Sequence, residues 1–526
     1  MVSFSNGSNI ENESEVRISK SIMIVGLLLL IGGTQIAGQN KRQPAVQEIA
    51  GRRADASQRR LIARLEELIP RLMSEGDVPG LSIVLIHNGK VSWHRGFGVK
   101  NLETKASIDD ATIFETASLT KPVFAYGVLK LVDSGKLDLD TPLARYLPGI
   151  YVEGDARANL ITARMVLSHT TGLQNELHPG ELLQIHFNPG ERFSYSGEGF
   201  LYLQRVVEHI TGERLDVYMK RMVFDPLGIR SASYVWQDRY ETLMANGHNA
   251  ASVVAERIKP TEVKLAWLHM NPLDYSKFVI AIMNGIGLRK TTATLMLTPQ
   301  VHIDESCVFC LSPGTGRVSS SLSWGLGWGL ERIEGRDAFW HWGENRGEFQ
   351  TFVVAYPKQK VGVVIFTNSG NGFSIIPEIV SQAIGGKHPE FAWMGYEPFD
   401  SPKFLARRAE ILPAKTLYEA ILLRGRAALE EYREGRKTRS GSEVLNEDQM
   451  NKIGYWLLKK RVNEAIEVFK MNVTDYPNSA NAYDSLGEAY LVAGNKPEAI
   501  KNYQRSLALN PGNDNARQMI QNLERH

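Results

Sequence analysis

Two apolar runs, Leu81-Ser82-Ile83-Val84-Leu85-Ile86 and Val91-Ser92-Trp93, flank His87-Asn88-Gly89-Lys90. Asn-Gly between apolar runs is a strong local sign of a β-hairpin, because both residues tolerate the positive φ that a tight turn demands. A second hairpin pattern lies far along the chain, where residues 351–356 and 361–366 flank Pro357-Lys358-Gln359-Lys360. Between the two, residues 118–134, 201–211 and 273–284 carry apolar positions at helical spacing. Residues 57–74 do the same ahead of the first hairpin (Leu61, Ile62, Leu65, Leu68, Ile69, Leu72), and Pro70 is expected to kink that helix. The economical reading is a sheet built from both ends of one domain with a helical subdomain inserted. That makes residues 57–390 a single α+β unit, an antiparallel sheet flanked by helices. Residues 39–56 read as a polar linker and residues 391–445 as a helical connector.

The C-terminal pattern repeats. Glu464-Ala465-Ile466 recurs as Glu498-Ala499-Ile500, and Trp456, Phe469 and Pro477 find Tyr490, Tyr503 and Pro511 at the same 34-residue offset. Tyr483-Asp484-Ser485-Leu486-Gly487-Glu488-Ala489-Tyr490 supplies the rest of a first-helix signature. This period and these positions resemble tetratricopeptide repeats. The copy at residues 480–513 is the better formed; the copy at residues 446–479 lacks the Leu-Gly pair in register. Residues 514–526 read as a capping helix of the all-α domain 446–526. Two repeats bury little surface alone, so docking on the catalytic unit or on the connector helices is expected. The repeats imply either a protein-binding groove or a stabilising appendage.

Composition narrows the classes. A chain of 526 residues is too long for one compact domain. Sixty basic against 58 acidic side chains give +2, a balance that offers nucleic acid no global attraction. At the N-terminus, Arg17 and Lys20 precede an uncharged apolar run over residues 21–31, and small residues follow to Gly38. Residues 1–38 thus predict an exported protein, periplasmic or extracellular, with a cleaved signal peptide or a retained membrane anchor as the two forms. The only cysteines, Cys307 and Cys310, cannot make a disulfide framework, and no second pair completes a zinc site. A local loop disulfide or two free thiols remains. Neither a cofactor nor a metal is assigned.

Candidate chemistry begins at Ala117-Ser118-Leu119-Thr120-Lys121, the one Ser-x-x-Lys of the chain. On a helix, positions i and i+3 share a face, so the Ser118 hydroxyl and the Lys121 amine can meet. A serine is a weak nucleophile until a base takes its proton, and a lysine serves only when burial or a neighbouring cation holds its pKa down. Downstream, Tyr195 in a turn-rich loop is a candidate proton relay if cations such as Lys121 favour its phenolate. His341, on a strand read over residues 338–343 and ending at Gly343, is a candidate to orient or protonate a substrate.

Together these residues resemble the serine β-lactamase and penicillin-binding-protein-like superfamily, particularly its class C-like branch with D,D-peptidases, D-aminopeptidases and family VIII esterases. The match runs from about Ser57 to Gly386 and includes Val78-Pro79-Gly80-Leu81, Leu137-Asp138-Leu139-Asp140, Leu167-Ser168-His169-Thr170-Thr171-Gly172-Leu173 and Asn188-Pro189-Gly190. It continues through Tyr195-Ser196-Gly197, Trp324-Gly325-Leu326-Gly327-Trp328-Gly329 and His341-Trp342-Gly343. The resemblance implies Ser118 as the acylated nucleophile, Lys121 as its base or proton partner and Tyr195 as a second proton carrier. It also implies an oxyanion site between the backbone N–H groups of Ser118 and Glu344, beside Gly343. Tyr195-Ser196-Gly197 departs from the family's Tyr-x-Asn, and His341 stands where lysine is common. Both departures point from an efficient β-lactamase towards an esterase or peptidase acting on a small ester, amide or peptide. The competing expectation is a non-catalytic protein that binds cell-wall peptides or a partner through the cleft and the repeats. No Gly-x-Ser-x-Gly and no His-Glu-x-x-His occurs, which argues against an α/β-hydrolase and a zinc peptidase.

Overall fold

The computed structural model describes residues 43–178, 180–436 and 444–525. The segment expected to direct export or anchor the chain lies outside them. Among the described residues no helix is long and apolar enough to cross a membrane.

The strands are β1 Gly80–His87, β2 Lys90–Gly98, β3 Phe114–Glu115, β4 His269–Met270, β5 Val301–Asp304, β6 Val318–Trp324, β7 Gly329–Ile333, β8 Arg336–Asn345, β9 Phe349–Tyr356 and β10 Val361–Thr367. β3 and β4 pair separately; the other eight form one antiparallel sheet in the order β2-β1-β10-β9-β8-β7-β6-β5. The two predicted hairpins therefore lie side by side, with Leu81 opposite Thr367 and Ile86 opposite Gly362. Asn88 and Gly89 take φ of 53° and 69°, the paired left-handed conformation that a two-residue hairpin turn requires.

Both faces of the sheet are covered, which is why the central strands read as nearly unbroken apolar runs. On one face Leu81, Ile83, Leu85, Val363 and Ile365 pack with Leu65, Ile69 and Leu72, and with Ile376, Ile379 and Val380 of the helix Ile376–Ile384. On the other, Val84, Ile86, Val353, Val364 and Phe366 meet the helical subdomain. There the helices Thr120–Asp133, Gly197–Thr211 and Pro272–Asn284 contribute Phe124, Phe200 and Phe278.

Two expectations need correction. The helix predicted over residues 57–74 is Gln43–Glu75, so residues 43–56, read as linker, are helical; Pro70 stands inside it on an exposed position. Exposure lets water take the carbonyl that the missing N–H would have bonded, so the helix continues. β8 also runs two residues past Gly343, to Asn345.

The connector forms the helices Pro402–Arg424 and Arg426–Gly435. The repeats follow as Glu447–Leu458 with Val462–Asp475 and Ala480–Val492 with Lys496–Leu509, capped by Asp514–Arg525. Their docking uses both expected surfaces: Ile453, Leu457 and Phe469 share one core with Tyr418, Ile421 and Leu429 of the connector and with Ala251 and Val253 of the catalytic unit. The first repeat does hold its packing glycine. A Cβ on Gly454 would meet the Phe469 ring at 2.4 Å, as one on Gly487 would meet Tyr503 at 3.0 Å. Position 454 is one residue off the 34-residue period, which hides it in the sequence.

Candidate active site

Ser118 stands in a 3₁₀ turn, Ala117–Leu119, at the head of the helix Thr120–Asp133. The turn is strained: Ala117 has φ 49°, a conformation that costs a non-glycine residue about 1 kcal/mol and survives only where the surroundings enforce it. Here they do. Thr116 Oγ1 donates to the Leu268 carbonyl at 2.9 Å, Thr120 Oγ1 to the Ala117 carbonyl at 2.7 Å, and the Tyr275 hydroxyl to the Leu119 carbonyl at 3.0 Å. Just upstream, the buried Glu115 carboxylate accepts from Arg346 Nη2 at 2.9 Å and from Asn345 Nδ2, which fastens the end of β8 to this turn.

Lys121 Nζ lies 3.0 Å from Ser118 Oγ. The lysine stem keeps some solvent exposure, but the amine sits over the Tyr195 ring at 4.9 Å and the Phe200 ring at 5.8 Å. Burial pushes its pKa down to about 8, with the Glu176 carboxylate opposing. An ammonium deprived of water loses its hydration, and among the described residues no carboxylate forms an ion pair with this one to compensate.

Tyr195 is held from two sides by His169. Ser194 N–H donates to the His169 carbonyl at 2.8 Å, and Ser196 N–H to His169 Nδ1 at 3.0 Å. The two rings stack at 4.2 Å. Because Nδ1 accepts, the neutral ring carries its proton on Nε2, and burial holds the pKa of His169 well below the ordinary imidazole value. Its φ of 56° makes this doubled grip possible. His169 belonged to a motif legible in the sequence, yet nothing in the spacing revealed that it cradles Tyr195. Trp342 also packs against the tyrosine, with ring centroids 4.8 Å apart. Cys307 and Cys310 form a disulfide, the first of the two alternatives left open, and the Val308 carbonyl within that loop accepts Tyr195 N–H at 3.0 Å.

The Tyr195 hydroxyl is buried without a well-formed hydrogen bond. Burial raises its pKa, and the nearby Ser118 hydroxyl only partly opposes this. The expected phenolate is thus disfavoured, since Lys121 faces the ring and does not pair with the oxygen. His341 is corrected in the same direction. Its Nδ1–H donates to the Trp342 carbonyl at 2.7 Å, and Nε2 is buried with no partner. Burial, then the charge of Lys121, push its pKa down to about 3. At neutral pH it is an uncharged acceptor packed among Trp324, Trp342 and Tyr195, which disfavours the protonating role and leaves the orienting one.

Gly343 brings β8 against the serine turn: a Cβ there would stand 2.4 Å from the Thr116 carbonyl and 3.1 Å from Ser118 N. The next residue, Glu344, enters a cleft of about 290 Å³ that also holds Ser118, Lys121, Asn175, Glu176, Glu198 and Leu265. Tyr195 and His341 stand behind its wall. The Glu344 carboxylate accepts from the Tyr396 hydroxyl and from Gln350 Nε2 at 3.4 Å. Sequence reasoning had not marked Asn175, Glu176, Glu198 or Tyr396, which come from a loop, the first turn of the helix Gly197–Thr211 and the connector, without a motif of their own.

The beta-lactamase family pattern matches residues 65–375, and the tetratricopeptide repeat pattern matches residues 480–513. Protein flp of Staphylococcus aureus (strain N315) is 22% identical over 338 residues, covering 60% of this chain and 64% of its own. The chain thus spans less than two thirds of that relative. Penicillin-binding protein 4 of Amycolatopsis lactamdurans is 24% identical over 395 residues, 68% of this chain and 97% of its own. Among solved structures, the octameric penicillin-binding protein homologue from Pyrococcus abyssi superposes with a TM-score of 0.52 at 21% identity, covering 67% of this chain and 81% of that one.

Proposed function

The chain belongs to the beta-lactamase family of serine hydrolases, and on that premise we propose that it cleaves esters or amides through an acyl-enzyme on Ser118. The observation that carries this reading is the 3.0 Å contact between Lys121 Nζ and Ser118 Oγ. With a pKa of about 8, roughly a tenth of the lysines are uncharged at pH 7. That fraction takes the Ser118 proton as Oγ attacks the substrate carbonyl. The developing oxyanion is received by the backbone N–H groups of Ser118 and Glu344, brought close by Gly343. When the tetrahedral intermediate collapses, the bond to the leaving group breaks and the leaving group takes a proton. Tyr195, a neutral phenol, is suited to pass that proton on and not to act as the first base. Water then attacks the Ser118 ester, the acyl–Oγ bond breaks, and the acid leaves as a proton from that water returns to Oγ.

The cleft supports a narrower substrate class. Glu176, Glu198 and Glu344 line it against the single amine of Lys121. Such a lining disfavours substrates that carry a carboxylate next to the scissile bond, and favours neutral esters and amides with a free amine, as in esterases and D-aminopeptidases. Export remains part of the proposal: a disulfide at Cys307–Cys310 suits an oxidising compartment, and the apolar run at residues 21–31 supplies the route. The repeats add a surface suited to a protein partner.

The test is hydrolysis of p-nitrophenyl butyrate and of D-alanine p-nitroanilide, with nitrocefin as the carboxylate-bearing comparison. Ser118→Ala is expected to abolish turnover of the first two while the protein stays folded; undiminished hydrolysis places the nucleophile elsewhere.

A further inference from the structure

A second cluster of titratable side chains lies well away from Ser118. Glu331 on β7 pairs with Ala338, a position about 17 Å along β8 from Gly343 by the rise of a strand. Over it lie His388, from the turn that follows the helix Ile376–Ile384, and Glu390, in the short helix Pro389–Trp393. Glu331 is 3% exposed, Glu390 0%, and the His388 side chain 3%.

His388 Nε2 lies 3.1 Å from the Gly385 carbonyl, a group that can only accept, so Nε2 carries a proton. The other nitrogen, Nδ1, faces both carboxylates, 3.4 Å from Glu331 Oε2 and 3.2 Å from Glu390 Oε1. The Tyr356 hydroxyl donates to Glu331 Oε1 at 3.1 Å. Glu331 Oε2 and Glu390 Oε2 are buried and have no hydrogen-bond partner. Arg336 stacks over the Tyr356 ring at 4.1 Å, and among the described residues no ion pair joins it to either carboxylate.

Two occupants can satisfy this arrangement, a proton or a metal ion, and the distances discriminate between them. Hydrogen bonds from an imidazolium to carboxylates settle near 2.7–2.9 Å, shorter than either contact here. Ligands at 2.0–2.1 Å from a tetrahedral zinc are separated by about 3.3 Å along each edge, which the two edges from His388 Nδ1 match at 3.4 and 3.2 Å, and all three ligand atoms lie within 4.8 Å of one another. Charge permits the metal: a divalent cation with two carboxylates and a neutral imidazole leaves no net charge away from water, whereas an imidazolium does so only when one carboxylate is also protonated, the direction in which burial pushes Glu390. The surroundings have the form of a metal site as well: the histidine donates its far N–H to a backbone carbonyl, and Glu331 is oriented by a tyrosine.

We propose that Glu331, His388 and Glu390 form a buried, three-ligand site for a divalent cation of the zinc class, with water in the fourth position. The ion would clamp β7 to the turn that leads into the short helix Pro389–Trp393. Trp393 packs against Trp340 and Trp342, and its indole N–H donates to the Asp304 carbonyl at 2.9 Å. The site therefore braces the aromatic wall behind Tyr195 without touching substrate.

The experiment uses the full chain, stripped with a chelator, dialysed and titrated with zinc and with cobalt(II). One equivalent of zinc that survives dialysis, a rise in melting temperature, and the intense visible bands of four-coordinate cobalt are expected. His388→Gln and Glu390→Gln should weaken zinc binding by at least about a hundredfold. A folded wild-type chain that takes up neither metal overturns the proposal, as do folded variants with wild-type affinity. Should both variants fail to fold, X-ray absorption of the zinc-loaded wild type decides. One imidazole among oxygen donors is expected, and two or more imidazoles put the ion elsewhere.

Discussion

Asn175 occupies the space that a side chain at Gly197 would need. A Cβ on Gly197 would lie 2.5 Å from the Asn175 backbone oxygen and 3.3 Å from its Oδ1, and Gly197 N–H donates to that same backbone oxygen at 3.1 Å. The departure from Tyr-x-Asn is therefore built into the neighbouring loop and is not a simple deletion of an amide.

Restoring asparagine at position 197 should consequently harm the protein. Gly197→Asn is expected to lower the melting temperature, at a cost of about 1–3 kcal/mol for the forced shift, and to reduce ester turnover without raising nitrocefin hydrolysis. Thermal denaturation and the two assays check this. A gain in nitrocefin turnover at unchanged stability would mean that the loop yields freely.

The pH dependence follows from the lysine. Its amine must be uncharged to accept the Ser118 proton, and its pKa is lowered to about 8. kcat/KM for a neutral ester should rise about tenfold per pH unit on the acid side and level off above that value. Glu176 opposes the lowering, so Glu176→Gln should move the limb to lower pH and raise activity at neutrality. A limb that stays put or moves to higher pH in the variant contradicts this assignment of charge.

Much of this was legible in the residues because it rests on local chemistry. Paired apolar runs about a short polar turn, Asn88-Gly89 in the first case, gave the hairpins, the two-sided burial of β1, β9 and β10 explains why those runs are unbroken, and the i, i+3 spacing put Ser118 beside Lys121. What stayed hidden depends on contacts between distant segments. The neutrality of His341 comes from burial among tryptophans and from the charge of Lys121, and the support of Tyr195 comes from a histidine at position 169 in left-handed backbone. Gly454 escaped because one residue of slippage spoils a period but not a packing contact.

The repeats share their core with the connector and the catalytic unit, so their stability should be coupled. Ile421, fully buried between them, is the natural probe. Ile421→Ala should cost about 2–5 kcal/mol and lower the single melting transition of the whole chain. Calorimetry checks this; a separate, earlier transition of the repeats alone would show that they melt independently.

The central claim is that one hydroxyl, beside one deprotonated amine, becomes the nucleophile. Tryptic mass spectrometry after treatment with a fluorophosphonate tests it most directly. The adduct is expected on the peptide containing Ser118, and its formation should collapse in Lys121→Met. An adduct on any other residue, or equal labelling of the lysine variant, would contradict the account.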